Sequence, residues 1–239
     1  SIALIHFELA QHNDVDIVLK CYRKNGEAFW NHMMIKPVFG VDQRCTNFLI
    51  IQQDVSEQKR QDERIQFQRT HDLATGLPNE SLLYNTLKKH YLESTVDASS
   101  LAVLYLDLDD FQPINDELGH QIGNQVLTVV AQRIKSLIKP GQMLARMVGD
   151  EFCIIYPDYQ NEQEVKNLAS EILAQVSRPI ELENTRIHIS TSIGITENNA
   201  SILTSHELIK NAIKCVQKAK NQGRNTWQWH QEAKAQRNI

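Results

Sequence analysis

Three acids carry the chemistry this sequence could do. Asp107 closes the apolar run "LAVLYLD" (101–107), and Asp150 and Glu151 stand side by side in "RMVGDEF" (146–152). The run before Asp107 reads as a buried strand. The flanks of the second motif, "QMLA" and "CIIYP", read as two strands joined by a tight turn. If the first strand and the hairpin are sheet neighbours, their acids converge at one edge. Clustered carboxylates repel one another unless a cation joins them. Hard oxygen donors with few histidines suit Mg2+, which completes its octahedron with phosphate oxygens and water. The pattern therefore points to phosphoryl chemistry on a nucleotide. Acids at exposed strand ends, holding nothing, fit the same spacing.

The elements that must position these acids alternate from residue 71 onward. "NESLLYNTLKKHYL" is helical, "LAVLYLDLD" is a strand, and "GHQIGNQVLTVVAQRIKSLI" is a long amphipathic helix. A strand–turn–strand follows, then the helix "EQEVKNLASEILAQVS". The strand "RIHISTSIGIT", the helix "SHELIKNAIKCVQKAKNQ" and the strand "RNTWQWH" complete the order. This βαββαβ order predicts an α+β domain with an antiparallel-rich sheet and helices packed on one face. Ahead of it, "VDIVLKCY", "AFWNHMMIKPV" and "TNFLIIQQD" read as a three-strand meander. The polar stretch "SEQKRQDERIQFQRTHD" reads as a helix, with Asp54 and Glu57 as a capping box. Its seam residues Lys59, Asp62 and Ile65 are mostly polar, so a solvated connector and a dimerising helix both fit.

The totals narrow the class. The 239 residues suffice for one large or two modest domains. A net charge of −4 gives no basic field for nucleic acid. No apolar run is long enough for a membrane segment, and a cytoplasmic location is expected. The four cysteines are scattered without a CxxC pair, as free thiols would be.

Five blocks in order, "HDLATGLPN" (71–79), "DLDDFQPINDELGHQIGN" (107–124), "RMVGDEF" (146–152), "SIGIT" (192–196) and "AKNQGRN" (219–225), resemble the GGDEF domain of bacterial diguanylate cyclases. The resemblance spans residues 70 to about 230 and implies a palm-like, nucleotide-cyclase-like sheet. It implies that Asp107, the Leu108 carbonyl, Asp150 and Glu151 hold Mg2+ or Mn2+, with Asp150 the proton acceptor for a GTP 3′-hydroxyl. It further implies that Asn115 and Asn124 meet guanine, that the backbone at Asp110 and Phe111 meets phosphate, and that Lys220 and Arg224 grip the terminal phosphates. An ammonium point charge beside a guanidinium fork suits that task. The implied partners are GTP and a second copy of the chain, because each active site needs two half-sites.

Several residues depart from the family pattern. Val148 stands where the family has its first glycine, Asn124 replaces an aspartate, Gln112 a lysine and Ile213 an aspartate. The stretch "KPGQ" (139–142) replaces the RxxD of the family's product site. The metal and phosphate residues are retained while base recognition is weakened.

The front region, "YRKNGEAFWNHMMIKPV" and "FLIIQQDVSEQK", resembles the C-terminal half of a PAS sensor of the light–oxygen–voltage type. That resemblance implies Asn31 and Gln52 as contacts for a ligand such as FMN, with Cys21 at a third position. The expected domains are 1–55 (PAS part), 56–70 (helical linker), 71–231 (GGDEF) and 232–239 (tail or next linker). Two functions fit: a PAS-controlled cyclase making cyclic di-GMP, or a degenerate GTP-binding module that regulates a downstream EAL-type domain. A purely structural dimerisation module is a third.

Overall fold

The computed structural model describes residues 2–182, 185–199, 202 and 204–230. The tail expected over 232–239 lies outside the described residues. The chain divides into two compact units, Ser1–Phe67 and Gln68–Ile239.

In the first unit, helix α1 (Ile2–Ala10) precedes a meander of β1 (Val15–Tyr22), β2 (Ala28–Phe39) and β3 (Cys45–Asp54), all antiparallel. Helix α2 (Ser56–Thr70) follows. The capping box does not form. Asp54 accepts the Ser56 N–H at 3.0 Å and also pairs with Arg23, while Glu57 turns to Arg60 and Gln61. Arg23 draws Asp54 back toward the meander, so the cap is spent on tying the helix start to the sheet.

The second unit opens with α3 (Glu80–Asp97), capped by Asn79, whose side chain accepts the Leu82 N–H. There follow β4 (Leu101–Asp109), α4 (Phe111–Leu118), α5 (His120–Lys135), β5 (Met143–Arg146), β6 (Glu151–Pro157) and α6 (Glu162–Val176). A small antiparallel pair, β7 (Ile180–Leu182) and β8 (Thr185–Ile187), precedes β9 (Ser190–Glu197), α7 (Ser205–Asn221) and β10 (Trp227–Trp229). The main sheet runs β10-β9-β4-β6-β5, antiparallel except for the β10–β9 pair. The strand expected over "RIHISTSIGIT" is two strands, because β8 pairs with β7 whereas β9 joins the main sheet.

Helices cover both faces of this sheet, not one. Leu104, Leu106, Leu108, Phe152 and Ile154 pack with residues of α5 and α6. Leu101, Val103, Tyr105, Cys153 and Ile155 pack with residues of α3 and α7. Alternate residues of β4 thus enter two cores, which is why "LAVLYL" is apolar without a break. Among the described residues no helix is long and apolar enough to cross a membrane.

Gly194 on β9 sets how closely α7 approaches. A Cβ there would lie 1.9 Å from the Ala212 carbonyl oxygen and 2.6 Å from the Val216 nitrogen, both backbone atoms of α7. Gly194→Ala is therefore predicted to destabilise the second unit by about 2–4 kcal/mol, since a helix rather than a side chain has to yield. Urea unfolding of the two proteins measures this.

Candidate active site

Register brings the acids together. Asp107 faces Glu151 across the β4–β6 pair, and the Leu108 N–H donates to the Asp150 carbonyl at 3.4 Å. The side chain of Asp107 is 19% exposed, and the Lys220 ammonium, at the C-terminal end of α7, lies 2.5 Å from its Oδ1. That ammonium is the charged neighbour of an otherwise buried oxygen. Burial, and then the Asp107 charge, push the Asp150 carboxyl above its usual range. Burial likewise raises Glu151, although the Tyr105 hydroxyl, donating to Oε2 at 2.8 Å, counters it. Tyr105 lies two residues before Asp107 and so shares its face of the strand.

The hairpin tip is held from outside the sheet. Arg146, with a side chain 11% exposed, bonds Asp72 Oδ1 at 2.9 Å and the Gly149 carbonyl at 2.8 Å. Asp72 also accepts from Thr75 N–H and Oγ1 within the "HDLATGLPN" loop. Arg146 pins the tip carbonyl while Asp72 fixes the guanidinium; neither role had been read from the sequence. Gly149 has φ +69, a conformation that favours glycine. Val148 is absent from the residues with positive φ and is 69% exposed. Valine therefore carries no backbone strain here, and its cost is confined to the space its side chain takes at the rim.

A cleft of about 230 Å³ opens beside the tip, lined by Phe111, Asn115, His120, Asn124, Gly149 and Asp150 among others. Asn115 on α4 and Asn124 on α5 both face it. Their approach depends on Gly123, where a Cβ would fall 1.9 Å from Asn115 Oδ1. Gln112 bonds Asp116. Asp110 adopts φ 54 at the head of α4 and makes no side-chain cap, and Arg224 reaches its Oδ1 at 3.5 Å. Lys139 and Gln142 close on each other: the Lys139 N–H donates to Gln142 Oε1 at 2.9 Å, so that side chain is already occupied. Ile213 is exposed on α7.

Asp107, Leu108, Asp150, Glu151, Lys220 and Arg224 thus gather at one end of the sheet, with Asn115 and Asn124 in the adjoining cleft. Asn31 and Gln52 belong to the other unit and share one face of its meander. Asn31 is 4% exposed, with Nδ2 at 3.8 Å from Cys21 Sγ and a buried Oδ1 that lacks a partner. Gln52 is exposed beside Met33.

Residues 69–226 match the family described as diguanylate cyclase, GGDEF domain. The chain belongs to the GGDEF family. Over 155 residues it is 36% identical to the bifunctional diguanylate cyclase/cyclic di-GMP phosphodiesterase MucR of Pseudomonas aeruginosa, covering 65% of this chain and 22% of that protein. Over 159 residues it is 33% identical to the cyclic di-GMP phosphodiesterase NbdA of the same organism, covering 66% and 20%. The chain thus spans about a fifth of the length of these curated relatives. Among solved structures it is similar to the coiled coil and GGDEF domain of DgcB from Caulobacter crescentus in complex with c-di-GMP. There the TM-score is 0.67 at 27% identity, covering 74% of this chain and 93% of that one. The GGDEF signature of this chain departs from the family's at Val148 alone.

The raised carboxyl of Asp150 has a consequence for stability. Between the ordinary value of 3.8 and its raised folded value, the folded protein holds the proton more tightly than the unfolded chain. Stability therefore falls as pH rises through that window and stays lowered above it. With divalent metal chelated, Asp150→Asn is predicted to raise the melting temperature at pH 7 and to lose that advantage below pH 3.8. A scan of melting temperature against pH for both proteins checks it.

Proposed function

We propose that the GGDEF unit is a diguanylate cyclase that works as a homodimer, condensing two GTP into cyclic di-GMP. One observation carries this reading. The part-buried carboxylates of Asp107 and Asp150 stand together at one end of the sheet with the Lys220 ammonium against Asp107, and an Asn-lined cleft adjoins them. Among the described residues no three metal-ligating side chains cluster. Two carboxylates and the Leu108 carbonyl still fit Mg2+, or Mn2+, which takes its remaining ligands from phosphate and water. Bound there, the metal would neutralise and polarise the triphosphate.

The chain's own groups supply the rest. Lys220, which now neutralises Asp107, exchanges that carboxylate for the terminal phosphates, and Arg224 joins it with a planar fork. The open N–H groups at the head of α4 take phosphate oxygens. Asn115 and Asn124 meet the guanine edge, with Asn124 offering one acceptor where a carboxylate would offer two. Asp150, whose carboxyl is raised above its usual range by burial, accepts the 3′-hydroxyl proton. The 3′-oxygen then bonds to the α-phosphorus of the facing GTP, and pyrophosphate leaves. The reciprocal attack closes the ring and releases a second pyrophosphate.

A second reading is favoured by Asn124 and Val148 together with the phosphodiesterase names of the relatives. In it the unit binds GTP without turnover and regulates a downstream EAL-type domain. We further propose that the first unit is the C-terminal part of a PAS sensor. The orphan Oδ1 of Asn31 supports a hydrogen-bonding ligand there, FMN being the candidate. No flavin absorbance after incubation with FMN would rule that ligand out.

Incubation of the purified chain with GTP and Mg2+ separates the two main readings. Cyclic di-GMP formation, abolished by Asp107→Ala and by Asp150→Ala, is expected. GTP binding without product would favour the regulatory module. Product formation unchanged in either variant would contradict the site.

A further inference from the structure

Asp109 has a buried carboxylate that the proposed chemistry leaves unused. It lies at the last position of β4 and is 5% exposed. A buried charge needs donors or a counter-charge to offset its lost hydration. Asp109 has donors. Ser190 Oγ donates to Oδ2 at 2.6 Å, Ser192 Oγ to Oδ1 at 2.7 Å, and the Asn225 N–H to Oδ2 at 3.0 Å. The two serines belong to β9, Ser190 directly opposite Asp109. The third donor belongs to the turn that leaves α7.

That turn is conformationally expensive. Gly223, Arg224 and Asn225 have φ of 110, 63 and 45, three positive values in succession. The left-handed region costs free energy at each non-glycine residue, so the turn persists only where its surroundings hold it. The Asp109 bond to Asn225 holds it from the sheet, and Ser177 Oγ, donating to Asn225 Oδ1 at 3.0 Å, holds it from the end of α6. The Arg224 N–H reaches back to the Ala219 carbonyl at 3.2 Å. Arg224 is thereby fixed between two anchors, with its guanidinium directed to Asp110.

Three acids at the end of β4 each engage the segment that ends α7: Asp107 with Lys220, Asp109 with Asn225, and Asp110 with Arg224. The outer two engage cations. The middle one engages backbone, so it sets where the cations stand. We propose that Asp109 is the positioning residue of the phosphate-gripping turn, holding Arg224 at the metal end of β4. This rests on the phosphate role proposed for Arg224.

The test is a double-mutant cycle on affinity for a non-hydrolysable GTP analogue with Mg2+, measured by calorimetry on the full chain. Asp109→Ala should weaken binding about tenfold or more, the scale of one lost charge-assisted hydrogen bond. In an Arg224→Ala background it should cost little further, because the residue being positioned is already gone. Asp109→Asn should stay near wild type: its amide keeps an acceptor for Asn225, and a serine hydroxyl can rotate to accept from its NH2. If Asp109→Ala does not fold, Asp109→Ser, too short to reach Asn225, carries the same cycle. Wild-type affinity in the alanine or serine variant, or losses that simply add to those of Arg224→Ala, would overturn the positioning role while leaving GTP binding intact. Failure of the wild-type chain to bind the analogue would instead refute the functional reading, and the inference with it.

Discussion

Like charges held close together at the end of a sheet constrain everything around them. The β4–β6 register places Asp107 opposite Glu151, and the Leu108–Asp150 main-chain bond brings the third acid to the same edge. Left alone these groups repel, and burial makes the repulsion worse. The fold answers with a cation from a distant element. Lys220 reaches Asp107 because α7 lies hard against β9, an approach that the absence of a Cβ at Gly194 permits. The residual strain shows in the raised carboxyls of Asp150 and Glu151. Such a cluster lowers stability, and sites of this kind persist where binding or catalysis needs them.

The hairpin tip divides its labour between two neighbouring positions. Gly149 supplies the positive φ that the turn needs, and Arg146 grips its carbonyl. Val148 carries no such demand and points outward, so a side chain is admitted there without disturbing the tip. Changes at the rim can therefore alter what the cleft accepts while the carboxylates stay where the sheet puts them. The same separation holds on the far wall, where Gly123 leaves room for Asn115 while Asn124 sets the acceptor chemistry.

Local pattern made the α+β class legible. The unbroken apolar run of β4 marks a strand buried on both faces, and the turn residues around "VGDEF" mark a hairpin. The covering of both faces was contained in that same run, but the strand order alone suggested one. What pattern could not show are bonds between residues far apart in the chain. Asp72 and Arg146 are 74 residues apart, and Asp109 and Asn225 are 116 apart. Neither partner has a local signature of its role. The capping box failed for a related reason: Asp54 had a distant competitor in Arg23, 31 residues away. Backbone angle is equally silent in a sequence: nothing in "VGDEF" tells that Gly149 takes a positive φ while Val148 does not.

In the proposed function, Lys220 occupies the place of a metal that the acids would hold. A crystal of the chain grown with Mn2+ and a non-hydrolysable GTP analogue tests this most directly through the anomalous signal of manganese. A manganese peak bonded to Asp107 and Asp150 is expected, with the Lys220 ammonium withdrawn from Asp107 onto phosphate. A nucleotide bound without manganese at these carboxylates, with Lys220 still paired to Asp107, would contradict it.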